Sequence, residues 1–155
     1  VVLPEGVLGI ESQTFYNCTS LRTVMLPSTL NYIGYQAFAY CPNLYDIYID
    51  PTNTAYQTIN GVLFNFDASV LLFYPSGKFE ADYTIPASVT TINSLSFLLP
   101  TNLISVTIPS TVTTVYTTAI TMTSGTINCE AASQPAGWQE YWNNYDTPVV
   151  WGYTF

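Results

Sequence analysis

The chain contains no histidine, and that absence removes several kinds of chemistry at once. Ser-His-Asp and Cys-His nucleophile activation both need an imidazole base, and the histidine-containing zinc sites lose their ligands. Three cysteines with no CxxC pair are too few for a four-thiolate zinc site. Cations are almost as scarce: Arg22 and Lys78 face ten acids, for a net charge of −8. Nucleic-acid affinity rests on phosphate neutralisation by Lys and Arg, so the composition speaks against nucleic acid as a partner. Attraction to an anionic membrane surface goes with it. No apolar run reaches the length of a bilayer-spanning helix. The densest, Val70 to Tyr74, is strand-sized, so no membrane insertion is expected of this segment. The N-terminus lacks the basic, apolar and small-residue blocks of a secretory leader. GxGxxG and GxxxxGK[ST] loops are missing too, and no cofactor is expected.

What is present is a repeat. Leu3-Pro4, Leu26-Pro27, Ile85-Pro86 and Ile108-Pro109 open four copies of one pattern, the first two prolines 23 residues apart and the last two again 23 apart. Three residues after each proline comes Val7, Leu30, Val89 or Val112; six after it comes Ile10, Ile33, Ile92 or Val115. Phe15, Phe38 and Phe97 follow at the eleventh place, with Ile120 in the last copy, and Cys18, Cys41 and Pro100 at the fourteenth. A fixed period in the twenties marks a solenoid, whose single repeats cannot bury their apolar side alone. At 155 residues, 48% hydrophobic, the chain has one domain's length and a core to match.

Each unit reads as two short strands joined by turns. Leu21 to Leu26 is an LxxLxL strand, Pro27 stops the ladder, and Leu30 to Ile33 runs back. Phe38 and Cys41 then point inward from a bend. Cys18 and Cys41 stack in neighbouring coils, either as buried thiols or as a disulfide, since the strand spacing of about 4.8 Å falls in the range a bridge allows. The expected architecture is mainly β, a leucine-rich-repeat solenoid over residues 1–127 with an inset over 50–84 and a cap over 128–155. In the inset, Asn60-Gly61 is a hairpin turn between two apolar strands folded over the solenoid. In the tail, Ser133-Gln134-Pro135 reads as a helix start. Trp138, Tyr141, Trp142 and Tyr145 follow at helical spacing, and Val149 to Tyr153 reads as a final strand. The chain opens inside a closing strand, from which a longer array upstream is expected.

The text IPxxVxxI, then AF or TF, then C, then L, in residues 4–26 and 27–49, resembles the BspA-like leucine-rich repeat family of surface proteins. NTAYQTINGVLF with LLFYPSGK is similar to that family's break between repeats, and the likeness reaches into the tail QPAGWQEYWNNY. Pro100 and Ile120 depart from the pattern. The resemblance implies an extracellular or cell-surface adhesion protein, with a host matrix protein or another cell surface as partner. It carries over no catalytic residue, because the motif consists of core positions.

On the LxxLxL strands the residues between the leucine-like positions face outward, on the concave side of such a solenoid. They include Arg22 and Met25, then Tyr45, Asp46 and Tyr48, then Ile104 and Thr107. Tyrosines are rigid, amphipathic anchors of the kind enriched at binding surfaces, and Met25 adds adaptability. The alternative is a carbohydrate site on Trp138, Trp142 and Trp151, since exposed indoles stack on sugar rings. Acids close in sequence, Asp46 with Asp50 and Glu80 with Asp82, have the residue types of a glycosidase pair. Asp50, Asn53 and Asp67 offer oxygens to calcium but lack the EF-hand spacing. Solvated or turn-forming roles account for all of them more simply, and neither an enzyme nor a metal site is expected.

Overall fold

Runs of β-branched and aliphatic residues cut every few positions by proline, glycine and Asn/Ser turns leave room only for short strands. The computed structural model describes residues 1–154, and every regular element in them is β. The first two repeats supply β1 (Gly9–Ile10), β2 (Thr23–Leu26), β3 (Tyr32–Ile33) and β4 (Asp46–Ile49). The inset holds β5 (Tyr56–Ile59), β6 (Val62–Asn65) and β7 (Val70–Phe73). The next two repeats give β8 (Asp82–Thr84), β9 (Thr91–Ile92), β10 (Phe97–Leu98), β11 (Ser105–Ile108), β12 (Thr114–Val115) and β13 (Ile120–Thr121). β14 (Thr126–Cys129) and β15 (Val149–Trp151) close the chain.

Equivalent strands of successive coils pair in parallel, so the sequence period becomes the sheet register. Thr23 pairs with Asp46, Thr91 with Thr114 and Phe97 with Ile120, each one period apart. The LxxLxL strands form the pair β2-β4 and the sheet β8-β11-β14-β15; the returning strands form β1-β3 and part of β5-β6-β7-β9-β12. The bend before the phenylalanine repeats its backbone too. Gln13, Gln36, Leu95 and Thr118 occupy one repeat position, and all have φ between 56° and 63°. Phe38 and Cys41 are buried as the repeat requires, and all three cysteines are free thiols. The Cys41 thiol donates to the Phe15 carbonyl oxygen at 2.9 Å.

The inset lies inside the stack rather than over it. Asn60 and Gly61, at φ 50° and 75°, turn β5 into β6, and β7 returns antiparallel to β6 before joining β9 in parallel. Val62, Leu63 and Phe64 are all buried, Leu63 against the core of the first two coils and its two neighbours against the core of the later ones. A strand covered on both faces reads as a continuous apolar run, which is why VLF carries no alternation. Two side chains tie the inset down. Buried Asn53 donates to the carbonyls of Pro27 (3.0 Å) and Leu30 (2.8 Å) and accepts from the N–H groups of Ala55 and Tyr56. Buried Lys78 donates to the Asn60 carbonyl at 2.7 Å and pairs with Glu80 at 3.4 Å.

The expected tail helix is absent. Residues 135–146 instead run as a further coil: Trp138 bridges to Val115 and Asn143 to Ile120, again one period on. Tyr141 takes the bend position with φ 59°, which lies outside the right-handed helical region. The Ile120 N–H donates to Trp142 O, and the Thr118 N–H to Tyr141 O. These interstrand bonds outcompete an isolated helix of about three turns, which is marginal in water.

Candidate functional site: the outward row of the strand sheet

β2 and β4 place alternate side chains on opposite faces. Val24 and Ile47 face the core with no exposed surface, while Met25 and Tyr48, paired in register, stand out at 50% and 48% exposure. Val2 bridges to Met25 and continues the row at 69%. The result is an apolar stripe, Val2-Met25-Tyr48, crossing three chain segments.

A second row runs beside it. Arg22 and Tyr45 share one repeat position and are joined by the Tyr45 N–H donating to Arg22 O at 3.0 Å. Arg22 is exposed and has no ion-pair partner among the described residues. The Tyr45 ring packs on Phe79 at 5.1 Å between centroids, and Phe79 is the most exposed large apolar side chain of the described chain at 76%. Sequence reasoning missed Phe79 because it lies in the inset, off the repeat grid.

Asp46 links the rows. The Tyr48 hydroxyl donates to Asp46 Oδ2 at 2.6 Å, and this contact with a carboxylate holds the phenol above its usual range. The same carboxylate lies against the hairpin tip: a Cβ on Gly61 would stand 1.6 Å from Asp46 Oδ1. The structure thus brings Arg22, Met25, Tyr45, Asp46 and Tyr48 together. Ile104 is exposed but sits beyond the inset, next to β11. Thr107 does not face solvent. Its short side chain, 5% exposed, lies in a central strand flanked by Thr84 and Asn128, whereas long side chains at the same repeat position in β2 and β4 stand clear.

The tail indoles form no open platform. Trp138 and Trp142 are buried and meet edge to face at 4.7 Å; half-buried Trp151 packs on Trp138 at 5.6 Å. Their N–H groups are spent internally, Trp138 on Val112 O and Trp142 on Gln134 Oε1. The acids are engaged locally as well. Asp50 accepts from Thr52 and Asp67 from Ser69, by hydroxyl and N–H together, and these bonds lower both carboxyls below their ordinary value. Among the described residues no three acids or thiols gather as a metal site.

Parallel LxxLxL strands stacked coil on coil define a class, the leucine-rich-repeat solenoid. The family model of the BspA type leucine-rich repeat region matches residues 1–122 in six copies, and the chain belongs to that family. A leucine-rich repeat protein from Eubacterium ventriosum is similar over 97% of this chain and 47% of its own, at 23% identity and a TM-score of 0.73. A leucine-rich cell surface protein from Faecalibacterium prausnitzii is similar over 86% and 41%, at 24% and 0.68. The pneumococcal vaccine antigen PcpA is similar over 94% and 46%, at 16% and 0.57. At these identities the likeness is one of fold, and this chain spans less than half the length of each. No curated protein matches it.

Proposed function

We propose that the chain is a non-enzymatic adhesion module that binds a protein ligand through the outward row of β2 and β4. The observation that carries this reading is the Val2-Met25-Tyr48 stripe, exposed and in register on a stiff ladder, with Tyr45 and Asp46 beside it. Rigid aromatics with Met25 and Arg22 beside them are residue types enriched at protein-binding surfaces and hot spots. An extracellular or cell-surface setting goes with the family and with the similar cell surface protein, and a host matrix protein or another cell's surface is the kind of partner that fits. Burial of Trp138 and Trp142 weighs against glycan binding on the tail.

The test is a double substitution, Tyr45→Ala with Tyr48→Ala, read by surface plasmon resonance on matrix proteins and by adherence of coated beads to cells. Truncating a hot-spot residue costs about 2 kcal/mol or more, and about 1.4 kcal/mol is a decade of affinity. Binding should therefore weaken at least about tenfold while the urea midpoint hardly moves. Unchanged binding by the folded variant removes the strand face as the ligand surface.

A further inference from the structure

The bend segments of the solenoid hold one another through a ladder of their own. In the first coil the N–H groups of Gln13, Phe15 and Asn17 donate to the carbonyls of Tyr35, Ala37 and Ala39 in the second, at 3.1, 2.9 and 2.9 Å. Leu95 and Phe97 likewise donate to the next coil, to the adjacent carbonyls of Thr118 and Ala119, at 3.1 and 2.9 Å. The second coil repeats the donor geometry one period on: Gln36 and Tyr40 have φ 56° and 58°, against 63° and 56° at Gln13 and Asn17. Gln36, Phe38 and Tyr40 therefore aim their N–H groups away from the first coil, as Gln13, Phe15 and Asn17 aim theirs toward the second. Among the described residues none of these three N–H groups has an acceptor.

The interruption lies in the inset. Its chain goes from β7 to Pro75 with no bend segment, so Gln36 and Phe38 of the second coil's donor row face a cleft of about 330 Å³ where the next bend would lie. Gly34 to Ala39 form one wall, Asn93, Ser94 and Leu95 the other, and Leu63, Leu72 and Phe73 the floor. On the far wall two carbonyls are already taken, Ser96 O by the Tyr74 N–H and Leu98 O by Ser76 Oγ, each at 2.7 Å. The open hydrogen-bonding edge on the second coil thus consists of donors. No charged side chain lines the cleft.

We propose that this cleft is a peptide-docking site that takes an extended, uncharged segment of a partner protein, whose carbonyls at alternate residues accept from Gln36 and Phe38 while one apolar side chain enters between Phe38, Leu72 and Leu95. Complementarity carries the argument. The Gln36 and Phe38 donors are the positive ends of two peptide dipoles and want carbonyl acceptors; Phe38 is buried, and buried N–H groups are rarely left without a partner. Their two-residue spacing is that of an extended chain, and adding a strand to an open edge is an established recognition mode. The volume is of the order that binding pockets use, about 300–1,000 Å³. The site is separate from the outward row of β2 and β4, so either can fail without the other.

The probe is a capped peptide with the sequence of residues 116–122, YTTAITM, which supplies the acceptors for Leu95 and Phe97 one coil further along. Amide spectra and hydrogen exchange of the labelled protein are recorded with and without it. In the free protein Gln36 and Phe38 should exchange at least tenfold faster than Phe15, their bonded counterpart; with peptide they should shift downfield and slow at least tenfold. The same peptide with lysine in place of its isoleucine should leave them unchanged. Leu72→Trp, and independently Ser94→Trp at the rim in case the first fails to fold, should abolish the effect by filling the cleft. Amides already protected in the free protein would overturn the proposal. So would no response at millimolar peptide, or shifts confined to β2 and β4.

Discussion

Replacing Phe97 by alanine removes a fully buried ring that stacks on Tyr74 at 5.1 Å and leans on Tyr83 at 6.1 Å. Phe97 does not line the cleft beside the inset, so the loss combines the transfer of the ring with a sealed cavity, and the expected cost lies near the top of the range for Phe→Ala, about 4–5 kcal/mol. Phe38 is the same residue at the same repeat position, stacked on Phe15 at 5.5 Å and near Phe73 at 6.0 Å. It also lines the cleft beside the inset. Truncation there enlarges a space that solvent already reaches instead of sealing a new void, which places Phe38→Ala near the bottom, about 3 kcal/mol. Tyr48→Ala, on an outward position, should stay within about 1 kcal/mol.

Urea unfolding of the three variants gives the order, with two probes because β6 divides the core into two clusters. Tryptophan fluorescence reports only the later coils, where Trp138, Trp142 and Trp151 lie; far-ultraviolet circular dichroism reports the whole chain. Phe97→Ala should shift both midpoints. Phe38→Ala should move the dichroism transition more than the fluorescence one, as nearest-neighbour stacking predicts. A Tyr48 loss equal to that of Phe97 would mean the inward and outward rows are exchanged. A Phe38 loss above that of Phe97 would refute the open-cleft argument.

Asn53→Leu should cost about 3 kcal/mol or more, because it strands the buried carbonyl of Leu30 and the N–H groups of Ala55 and Tyr56, each about 1–3 kcal/mol when left unpaired; a midpoint near wild type would show that the inset needs no such tie. Tyr74 and Tyr83 carry buried hydroxyls with no hydrogen-bond partner among the described residues, so Tyr74→Phe should raise stability by about 1 kcal/mol at pH 7. Burial raises the titration of both phenols and pushes the Cys129 thiol from 9.0 up to about 12. The unfolded chain therefore ionises first, and stability present below pH 9 should be lost as pH rises toward about 12. Urea midpoints at pH 8 and pH 11 check this, and Tyr74→Phe should lose less than wild type over that interval.

Much of the fold was legible because a solenoid writes its geometry into the period. Prolines 23 residues apart became coils paired one period apart, and Val24, Ile47, Phe38 and Cys41 are buried where the pattern puts them. The tail was misread because a coil's bend carries residues at spacings of three and four, which a helix shares. Trp138 at the position of Val115, not its distance from Trp142, is the signal that decides between them. The inset's interior place was hidden for another reason: Val62-Leu63-Phe64 reads the same whether a strand lies on a surface or between two cores. Of the outward row, Met25 and Tyr48 were readable by alternation and Tyr45 as a residue between the leucine-like positions of LxxLxL, while the burial of Thr107 depends on neighbours supplied by other strands.

Identical coils bury identical faces, so distinct surfaces arise where the repeat fails, and here Gly61 joins such a failure to the strand row. Its φ of 75° is one most residues resist, and a Cβ there would meet Asp46 Oδ1 at 1.6 Å. Gly61→Ala must therefore displace the carboxylate, on top of about 1–2 kcal/mol for the left-handed backbone. Displacing Asp46 frees the Tyr48 hydroxyl, whose titration is held high mainly by that hydrogen bond. The phenol should then titrate lower, toward its ordinary range, as it should in Asp46→Asn. Carbon-13 labelled tyrosine, followed by NMR across the alkaline range, reads Tyr48 directly, with Tyr48→Phe to assign the signal. A Tyr48 titration unmoved by Gly61→Ala, yet lowered by Asp46→Asn, would show that the hairpin tip does not position Asp46. The inset would then bear on the strand row through Phe79 against Tyr45, and the place of Asp46 would have to be argued from β2 and β4 alone.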